Sequence, residues 1–469
     1  MKLEQLLRCE KELAELEITG ITNDSRKVSK GFAFVNTQGN AEYDLNASQN
    51  GASVIISSNK SNLENLILTE NTAATFAEMS ANWYGNPAKK LKILGVTGTN
   101  GKTTVTYMLK AILEAAGKKV GLIGTIKNLS GDREIPSINT TPNAYYLHGL
   151  FSEMVKEGCE YVVMEVSSHA LAQGHVLGVE FECAMFTNLT QDHLDYHGDM
   201  EEYFLAKKKL FENCKVAVLN ADDKYGVRLL NETDCKTLSY SIENNSDYMA
   251  MGINCLATRV NYNLLTDALV RIAVNVGGNF TVYNSLCALA CALQLGISAD
   301  IIVATLASFK GVKGRAEVVE INKDFTVIID YAHTPDGLKN ILKTYKKCAK
   351  NRLILLFGCG GDRDKSKRAL MGEIASIYAD FVIVTSDNPR TENPQEIIND
   401  ILKGVPNALF NGKIIEDRAK AIKFALSIAQ KDDIIVLAGK GHETYQIIGK
   451  EKFPFNEREI VLSALQNLD

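Results

Sequence analysis

The chain lacks several features that would each have fixed a class at once. Its 10 cysteines are scattered, from Cys9 through Cys159, Cys183 and Cys214 to Cys359, with no paired C-x-x-C spacing. That argues against a zinc or redox motif and leaves reduced, mostly buried thiols. The net charge of −5 gives no basic surface, so a nucleic-acid partner is not expected. No apolar run reaches the length that spans a bilayer. The N-terminal stretch MKLEQLLRCEKELAELE carries acids throughout and has no small-residue cleavage site, so it does not read as a signal peptide. Internal repeats and low-complexity tracts are missing too. A cytoplasmic protein is the expectation, with a monomer the simplest assembly.

What is present is an ordinary globular composition, 46% hydrophobic and 23% charged, over 469 residues. That length exceeds one core and calls for two or three domains. From Leu91 onward, apolar runs bounded by turn residues alternate with helical patterns, the signature of parallel sheets flanked by helices. The expected strands are Ile93 to Val96, Val120 to Ile123, Tyr161 to Glu165, Ala184 to Thr187 and Val216 to Leu219. A second series is Thr326 to Ile329, Leu353 to Phe357, Phe381 to Thr385 and Ile434 to Leu437. Helices are expected at Pro335 to Ala349 and Asp417 to Ala429. NWYGNPAKK, Asn82 to Lys90, marks one boundary, and FKGVKGRAE, with Gly311 and Gly314, marks another. The fold class is therefore α/β, in three parts: 1–90, 91–314 and 315–469.

ILGVTGTNGKTTVTYMLKAIL reads as a strand, a Gly-rich turn and a helix opening at Lys102. A helix N-terminus of this kind offers free backbone N–H groups and a favourable dipole to a phosphate. Gly98 and Gly101 let the backbone approach the anion, Lys102 reaches its β/γ oxygens and the Thr103 hydroxyl suits Mg²⁺. Val96 stands where the strict G-x-x-x-x-G-K-[ST] pattern has its first glycine. A plain β-α turn with a solvated lysine is the bland alternative, and the flanking strand and amphipathic helix weigh against it. The glycines do not follow G-x-G-x-x-G, which disfavours a dinucleotide site. No N-K-x-D-type segment follows a strand, which disfavours a regulatory GTPase. ATP or GTP hydrolysis or transfer is the expected task.

Two further segments gather polar groups where strands end, the place at which α/β sheets bind ligands. VVMEVSSHALAQGHV supplies Glu165, Ser167, Ser168, His169, Gln173 and His175. FTNLTQDHLDYHGDM supplies Asn188, Asp192, His193, Asp195 and His197. Hard oxygen ligands suit Mg²⁺, and a histidine can join them without implying zinc. In MEEYFLAKKKLF, Lys207 lies three or four places from Tyr203, Phe204, Leu210 and Phe211, within the apolar stripe of a helix. Spacing alone favours a lysine whose stem packs while its ammonium reaches solvent. A buried lysine would instead have a depressed pKa and accept modification.

Ten segments in this order, GVTGTNGKTT, NTTP (Asn139 to Pro142), EVSSHAL, FTNLTQDHLDYH, NADD, GVKGRAE, DYAHTPDGL, FGCGGDRDKSKR, SDNPR and AGKGHE, resemble those of the Mur ligases. The resemblance is strongest to members that add meso-diaminopimelate to UDP-N-acetylmuramoyl-L-alanyl-D-glutamate. It implies an N-terminal UDP-binding domain, a central P-loop ATPase-like domain and a C-terminal Rossmann-like domain. It implies a nucleotide site of Gly98, Thr99, Asn100, Gly101, Lys102, Thr103 and Thr104, with Asn284, Arg315, Asp330 and His333. Two Mg²⁺ sites are implied, with Thr103, Glu165, His193 and a CO2-derived carbamate on Lys207 as ligands. Lys102, Lys207, His193 and Glu165 are then the catalytic group. The UDP-muramoyl-dipeptide is assigned to Ser25, Asn139, Thr140, Thr141, Ser167, Gln173 and His175. Meso-diaminopimelate is assigned to Arg368, Asp387, Asn388, Pro389, Arg390, Gly439 and Glu443.

The sequence departs from the family in three places. Gln173-Gly174-His175 replaces Q-x-R, so a muramoyl-contacting arginine becomes a histidine that titrates near neutrality. Phe280-Thr281-Val282-Tyr283-Asn284 loses the first Asn of F-N-x-x-N. Asn40-Ala41-Glu42-Tyr43-Asp44 replaces a D-G-H-like stretch, although Asp24-Ser25-Arg26 remains. The implied activity is ATP-dependent amide ligation through an acyl phosphate. A lysine-adding Mur ligase, a folylpolyglutamate-type ligase and a nucleotide-switched binding protein are the rival readings.

Overall fold

A computed structural model describes residues 1–265, 269–406 and 411–466. By their contacts they fall into two compact units. The first comprises Met1–Leu189, His193–Tyr240 and Cys287–Ile297; the second comprises Thr190–Asp192, Ser241–Leu286 and Ser298–Asp469.

The first unit begins with a small parallel sheet, β1 (Gly20–Thr22), β2 (Phe32–Val35), β3 (Val54–Ser57) and β4 (Leu66–Leu68), paired in that order. A helix at Thr72–Trp83 buries Phe76, Ala77 and Met79 with Ile21, Val35, Val54 and Ile56. The departing segment around Asp44 has a structural task here. Asp44 is buried and accepts hydrogen bonds from Asn36 Nδ2 (2.9 Å), Ser57 Oγ (2.8 Å) and Asn59 Nδ2 (3.1 Å). A buried carboxylate with that many donors ties β2 to β3 at low cost.

The same unit's larger sheet contains β5 (Lys92–Thr97), β6 (Val120–Ile123), β7 (Lys127–Ser130), β8 (Arg133–Pro136), β9 (Tyr161–Glu165), β10 (Cys183–Phe186), β11 (Val216–Asn220) and β12 (Lys236–Ser241). Their order is β12-β11-β10-β5-β9-β6-β7-β8, parallel from β12 to β6 and then antiparallel. Chain order reverses around β5, which puts the C-terminal end of β5 at the place where such sheets open a ligand crevice. Helices cover both faces, which is why β9, β10 and β11 read as unbroken apolar runs. Close packing is visible at Gly95 in β5, where an added Cβ would lie 2.8 Å from the Phe181 ring.

The second unit holds an antiparallel meander of β13 (Tyr248–Cys255), β14 (Val260–Leu265) and β15 (Leu269–Val274). It also holds β16 (Glu317–Val319), β17 (Thr326–Asp330), β18 (Leu353–Phe357), β19 (Phe381–Val384), β20 (Gly412–Ile414) and β21 (Ile434–Ala438). These six pair in the order β16-β17-β21-β18-β19-β20, with only the β16 edge antiparallel. A hairpin of β22 (Tyr445–Ile448) and β23 (Glu451–Pro454) follows.

The α/β class expected from the sequence is found, and the nine expected strands occur with ends shifted by at most one residue. The phosphate-loop helix spans Lys102–Ala115, and the other two expected helices span Pro335–Cys348 and Arg418–Ser427. The meander and the β7–β8 hairpin were not expected. β13 carries Gly252 and a register shift between Met251 and Asn254, so its apolar residues never settle into a period of two.

One core residue makes the first unit sensitive to acid. His148, on the helix Ala144–Lys156, is 3% exposed, lies edge-on to Phe151 at 5.7 Å and has no partner for its Nδ1. Burial lowers its pKa from 6.5 to about 4. The folded protein therefore keeps the imidazole neutral, while the unfolded chain takes up a proton as pH falls through 6.5. The stability at stake is fully present above pH 6.5 and is lost on going down towards pH 4, with about 2 kcal/mol gone by pH 5. Urea midpoints at pH 7 and pH 5 should differ less in His148→Leu than in the unaltered chain, and equal shifts would reject the assignment.

Candidate active site

The phosphate loop departs from the C-terminal end of β5 with Gly98 at φ +144° and reaches its helix through Gly101 at φ +92°. Both values lie where side chains other than glycine are strained. At Gly98 there is also no room, since an added Cβ would sit 1.9 Å from Thr187 Oγ1. The loop is clamped to the segment after β10. Thr99 N donates to Asn188 O (2.8 Å) and Asn100 N donates to Asn188 Oδ1 (2.9 Å). Asn100 O in turn accepts from Thr187 Oγ1 (2.6 Å) and Asn188 Nδ2 (3.1 Å). Lys102 Nζ folds back over the loop and donates to Gly98 O (2.8 Å) and Thr99 O (3.0 Å).

Glu165 ends β9 beneath this loop, 1% exposed. Its Oε2 accepts from Thr103 Oγ1 (3.0 Å) and Thr125 Oγ1 (3.0 Å), and its Oε1 accepts from Thr125 N (2.9 Å). Thr125 continues to Thr140 through a 3.0 Å hydroxyl contact. Thr141 Oγ1 donates to Glu165 O (2.9 Å), accepts from Ser167 N (3.0 Å) and so ties the NTTP segment to the end of β9. His175 Nδ1 lies 3.3 Å from Thr141 O. Burial lowers the His175 pKa below 6.5, against the partial compensation of its backbone contacts. The expected titration near neutrality is thus displaced towards acid: at neutral pH this ring offers a neutral hydrogen-bonding group where the family has a permanent cation.

Lys207 corrects the reading drawn from spacing. Its side chain does not reach outward: the residue is 1% exposed, Nζ donates to Gly98 O at 3.0 Å, and the ammonium lies 4.6 Å from the centre of the Tyr203 ring. The helix Met200–Lys208 directs it inward because Tyr203, Phe204 and Ala206 are buried beside it, while Lys208 turns away to pair with Glu232 (2.7 Å). Tyr203 OH also lies 3.3 Å from Thr99 Oγ1.

His193, at φ +54°, belongs to an aromatic cluster with His169 (4.8 Å), and His169 contacts Tyr196 (4.2 Å) and His197 (5.4 Å). His197 stacks on Tyr203 at 4.9 Å and reaches Ser168 Oγ at 2.9 Å. Gln173 Nε2 donates to Tyr196 OH (3.2 Å). Among the described residues no three His, Cys, Asp or Glu side chains are grouped as a ready metal cage. The donor chemistry nevertheless suits a hard cation, because a buried carboxylate and a phosphate-loop hydroxyl meet at Glu165 and Thr103. Ser25 is buried in the small parallel sheet's loops, where its carbonyl accepts from Asn50 Nδ2 (3.0 Å). Asn139 is exposed, and Thr104 is half-buried in the first turn of the loop helix.

In the second unit, Asp330 ends β17 and accepts from Ala316 N (2.6 Å) and Ala332 N (2.8 Å). Burial raises its pKa, with these bonds and Arg315 opposing. The Arg315 guanidinium stacks 4.4 Å over Tyr331, and its Nε is buried without a hydrogen-bond partner. Tyr331 also contacts His333 (4.5 Å) and His442 (5.0 Å). Lys367 Nζ donates to His333 O (3.0 Å), and burial holds the His333 pKa below its ordinary value. Asn284 is buried on the helix Asn279–Gln294.

The SDNPR segment follows β19. Asn388 Oδ1 accepts from Lys440 Nζ (3.0 Å) and Ile447 N (2.9 Å), which leaves its Nδ2 to donate to Glu443 Oε2 (2.8 Å). Lys440 is fully buried and lies 3.2 Å from Glu443 and 3.9 Å from Asp387. Gly439, at φ +112°, brings the backbone so near Asp387 that an added Cβ would fall 2.6 Å from Oδ2. Pro389 is buried, and Arg390 adopts φ +52° with Nη1 donating to Gly361 O (2.7 Å). Arg368 is 1% exposed and committed to two carboxylates, Glu392 at 2.9 Å and Asp400 at 3.0 Å. Thr125, Tyr203, Lys440 and Glu392 were not singled out in the sequence. Thr125 and Lys440 had a usable signal, each just beyond the end of an expected strand, and Lys440 also lies within the AGKGHE segment.

Residues 96–292 match the Mur ligase middle domain, and residues 314–441 match the Mur ligase glutamate ligase domain. A UDP-N-acetylmuramoyl-L-alanyl-D-glutamate–2,6-diaminopimelate ligase of Caldanaerobacter subterraneus subsp. tengcongensis is 49% identical over 459 residues, 96% of this chain and 95% of that one. A solved structure of a ligase with the same description is 33% identical, covers 100% of this chain and 99% of its own, and superposes with a TM-score of 0.73. MurF ligase from Thermotoga maritima in complex with ADP shares the fold at 18% identity and a TM-score of 0.61, covering 96% of this chain and 97% of its own. With a relative of such identity along nearly its whole length and both family domains matched in order, the chain belongs to the Mur ligase family.

Proposed function

We propose that the chain joins meso-diaminopimelate to the side-chain carboxylate of the D-glutamyl residue of UDP-N-acetylmuramoyl-L-alanyl-D-glutamate, using ATP. The observation that carries the reading is the geometry of SDNPR. Arg390 holds a left-handed backbone, and among the described residues its guanidinium is hydrogen-bonded through Nη1 alone, to Gly361 O. Beside it, Asn388 and Glu443 share a 2.8 Å hydrogen bond. Such a set can grip a carboxylate and an ammonium at one amino-acid centre. In this reading residues 1–90 receive the UDP moiety, 91–314 the ATP and 315–469 the amino acid.

A carboxylate resists attack by an amine because oxide does not leave. Transfer of the γ-phosphoryl group of ATP to the glutamyl carboxylate gives an acyl phosphate and ADP. The incoming amine adds to its carbon, and phosphate leaves as the tetrahedral intermediate collapses. Lys102, already folded over the loop carbonyls, places its charge by the transferring group. Gly98 to Thr104 offer backbone N–H groups to the phosphates, and the family resemblance assigns Asn284, Arg315, Asp330 and His333 to the nucleotide as well. Ser25, Asn139, Thr140, Thr141, Ser167, Gln173 and His175 take the muramoyl dipeptide. Asp387, Pro389 and Gly439 shape the amino-acid pocket, with Arg368 behind it. Mg²⁺, when bound, would neutralise phosphate charge, held by Thr103, Glu165, His193 and an N-carboxylated Lys207. The Lys207 side chain fits that role because its nitrogen already lies at the phosphate loop.

Lys102→Ala should lose at least a thousandfold in ligation with an unchanged circular dichroism spectrum, and near-normal turnover would sink the loop assignment. Carbon-13-labelled bicarbonate should give a carbamate resonance in the intact protein that Lys207→Arg lacks. If both proteins give identical spectra, Lys207 is not the modified residue. Phosphate release should require the UDP-muramoyl-dipeptide and the amino acid together. In competition, meso-diaminopimelate should be incorporated over L-lysine by about 10⁴-fold, because lysine leaves Arg390 without its carboxylate. Arg390→Ala should narrow that ratio chiefly by damaging diaminopimelate use. Equal incorporation by the unaltered enzyme would defeat the proposal.

A further inference from the structure

Arg390 does not set its own position. Its Nη1 is fixed by the carbonyl of Gly361, in the loop that follows β18, and an added Cβ at Gly360 would lie only 2.9 Å from that same Nη1. The two loops are laced together along their length. Gly361 N donates to Asn388 O at 2.9 Å, and Asp362 N donates to Glu392 Oε1 at 2.6 Å. The Asp362 carboxylate accepts from Thr391 Oγ1 at 2.7 Å and Thr391 N at 3.2 Å. Asp362 itself sits at φ +51°, so two non-glycine residues in left-handed backbone, Asp362 and Arg390, face each other across the lacing. Single residues in that region are strained unless their surroundings hold them.

What holds them converges on one carboxylate. Glu392 accepts both guanidinium nitrogens of Arg368, Nη1 on Oε2 at 2.9 Å and Nη2 on Oε1 at 2.9 Å. Arg368 is anchored in turn on the helix Ser366–Tyr378 by Asp400 at 3.0 Å, and its Nη2 lies 3.3 Å from Gly360 O. Glu392 thus joins a rigid helix to the loop whose carbonyl aims Arg390. The paired arginine holds the Glu392 carboxyl down to about 2, so the group stays ionised across any ordinary assay.

We infer that Glu392 is a positioning residue for amino-acid selection: without touching the substrate, it fixes the 360–362 loop and through it the direction of the Arg390 guanidinium. The inference rests on the reading of Arg390 as the group that recognises the distal carboxylate. It adds that this recognition depends on an ion pair one layer behind the pocket. A misplacement of about 1 Å in such a group can cost on the order of a hundredfold. Because Asp400 remains to pair Arg368, Glu392→Gln keeps the shape of the site and most of its packing.

The test is steady-state kinetics of the full chain with ATP, UDP-muramoyl-dipeptide and either meso-diaminopimelate or L-lysine. Glu392→Gln should raise KM for meso-diaminopimelate roughly tenfold and narrow its preference over lysine by a similar factor. KM for ATP and for the UDP substrate should stay within about twofold, a split that general loosening of the fold would not produce. In an Arg390→Ala background the same substitution should change diaminopimelate use by less than about twofold, since its effect passes through Arg390. Unchanged diaminopimelate KM in Glu392→Gln, a matching rise for all three substrates, or full additivity with Arg390→Ala overturns the inference. Should Glu392→Gln fail to fold, the surface variant Thr391→Val removes a neighbouring lace and should raise the same KM about threefold; no rise overturns the inference. An unaltered enzyme that does not select meso-diaminopimelate defeats the underlying reading, whereas a selective enzyme with a silent Glu392→Gln defeats only this addition.

Discussion

Two lysine ammonium groups meet at one backbone carbonyl, and the candidate site is organised around that meeting. Gly98 O accepts from Lys102 at 2.8 Å and from Lys207 at 3.0 Å. One lysine comes from the loop's own helix and the other from a helix more than a hundred residues away in the chain. The carbonyl can receive both because Gly98 adopts φ +144°, a turn that no side chain would permit beside Thr187. The charge of Lys102 is thereby fixed at the mouth of a helix N-terminus, where a held donor stabilises transferring charge without reorganising, and the Lys207 nitrogen is fixed beside it. The same turn lets Thr99 and Asn100 dock on Asn188, so the loop is held by a strand end and not by its own stiffness.

Opposite charges are handled differently in the two units. In the first, Glu165 is satisfied by two threonine hydroxyls and a backbone N–H, all neutral donors, which leaves its charge uncompensated within the set and available to a cation. In the second, carboxylates are balanced by arginines and lysines that are themselves buried: Arg368 on Glu392 and Asp400, Arg418 on Glu457 at 2.8 Å, Lys440 on Glu443. Buried pairs of that kind add little net stability, and their attested use is to specify a unique arrangement. An amino-acid pocket that must distinguish charges at one carbon has need of such an arrangement.

Much of this was legible in the sequence, for reasons that differ by residue. The strand-turn-helix around Gly98 and Lys102 is local, so composition and periodicity reveal it. Glu165 could be found because apolar strands announce where they end. Lys207 was legible only in part: helical phase puts its stem inside, but phase cannot tell whether the ammonium follows the stem inward or escapes, since that depends on an acceptor more than a hundred residues distant. The resemblance placed Arg368 in the amino-acid site, but its pairing with Glu392 left no trace, because a charged pair 24 residues apart looks like two solvated side chains until the loops between them are folded. The β13 strand failed for a different reason, its bulge and Gly252 having erased the alternation that marks a half-buried strand.

The acceptors that hold the key side chains are mostly main-chain oxygens: Gly98 for Lys102 and Lys207, Gly361 for Arg390, Thr141 beside His175, His333 for Lys367. A carbonyl belongs to every amino acid, so no substitution at these positions alters the chemistry of the acceptor. Yet at Gly98 and at Gly361 the first added carbon would come within 1.9 Å of a neighbouring atom. The framework is therefore indifferent to what a mutation carries and intolerant of its bulk. At Gly98 and Gly361 variation is therefore closed by volume alone, whereas on the donor side the lysine or arginine itself carries the chemistry, an asymmetry that a comparison of side chains alone would not disclose.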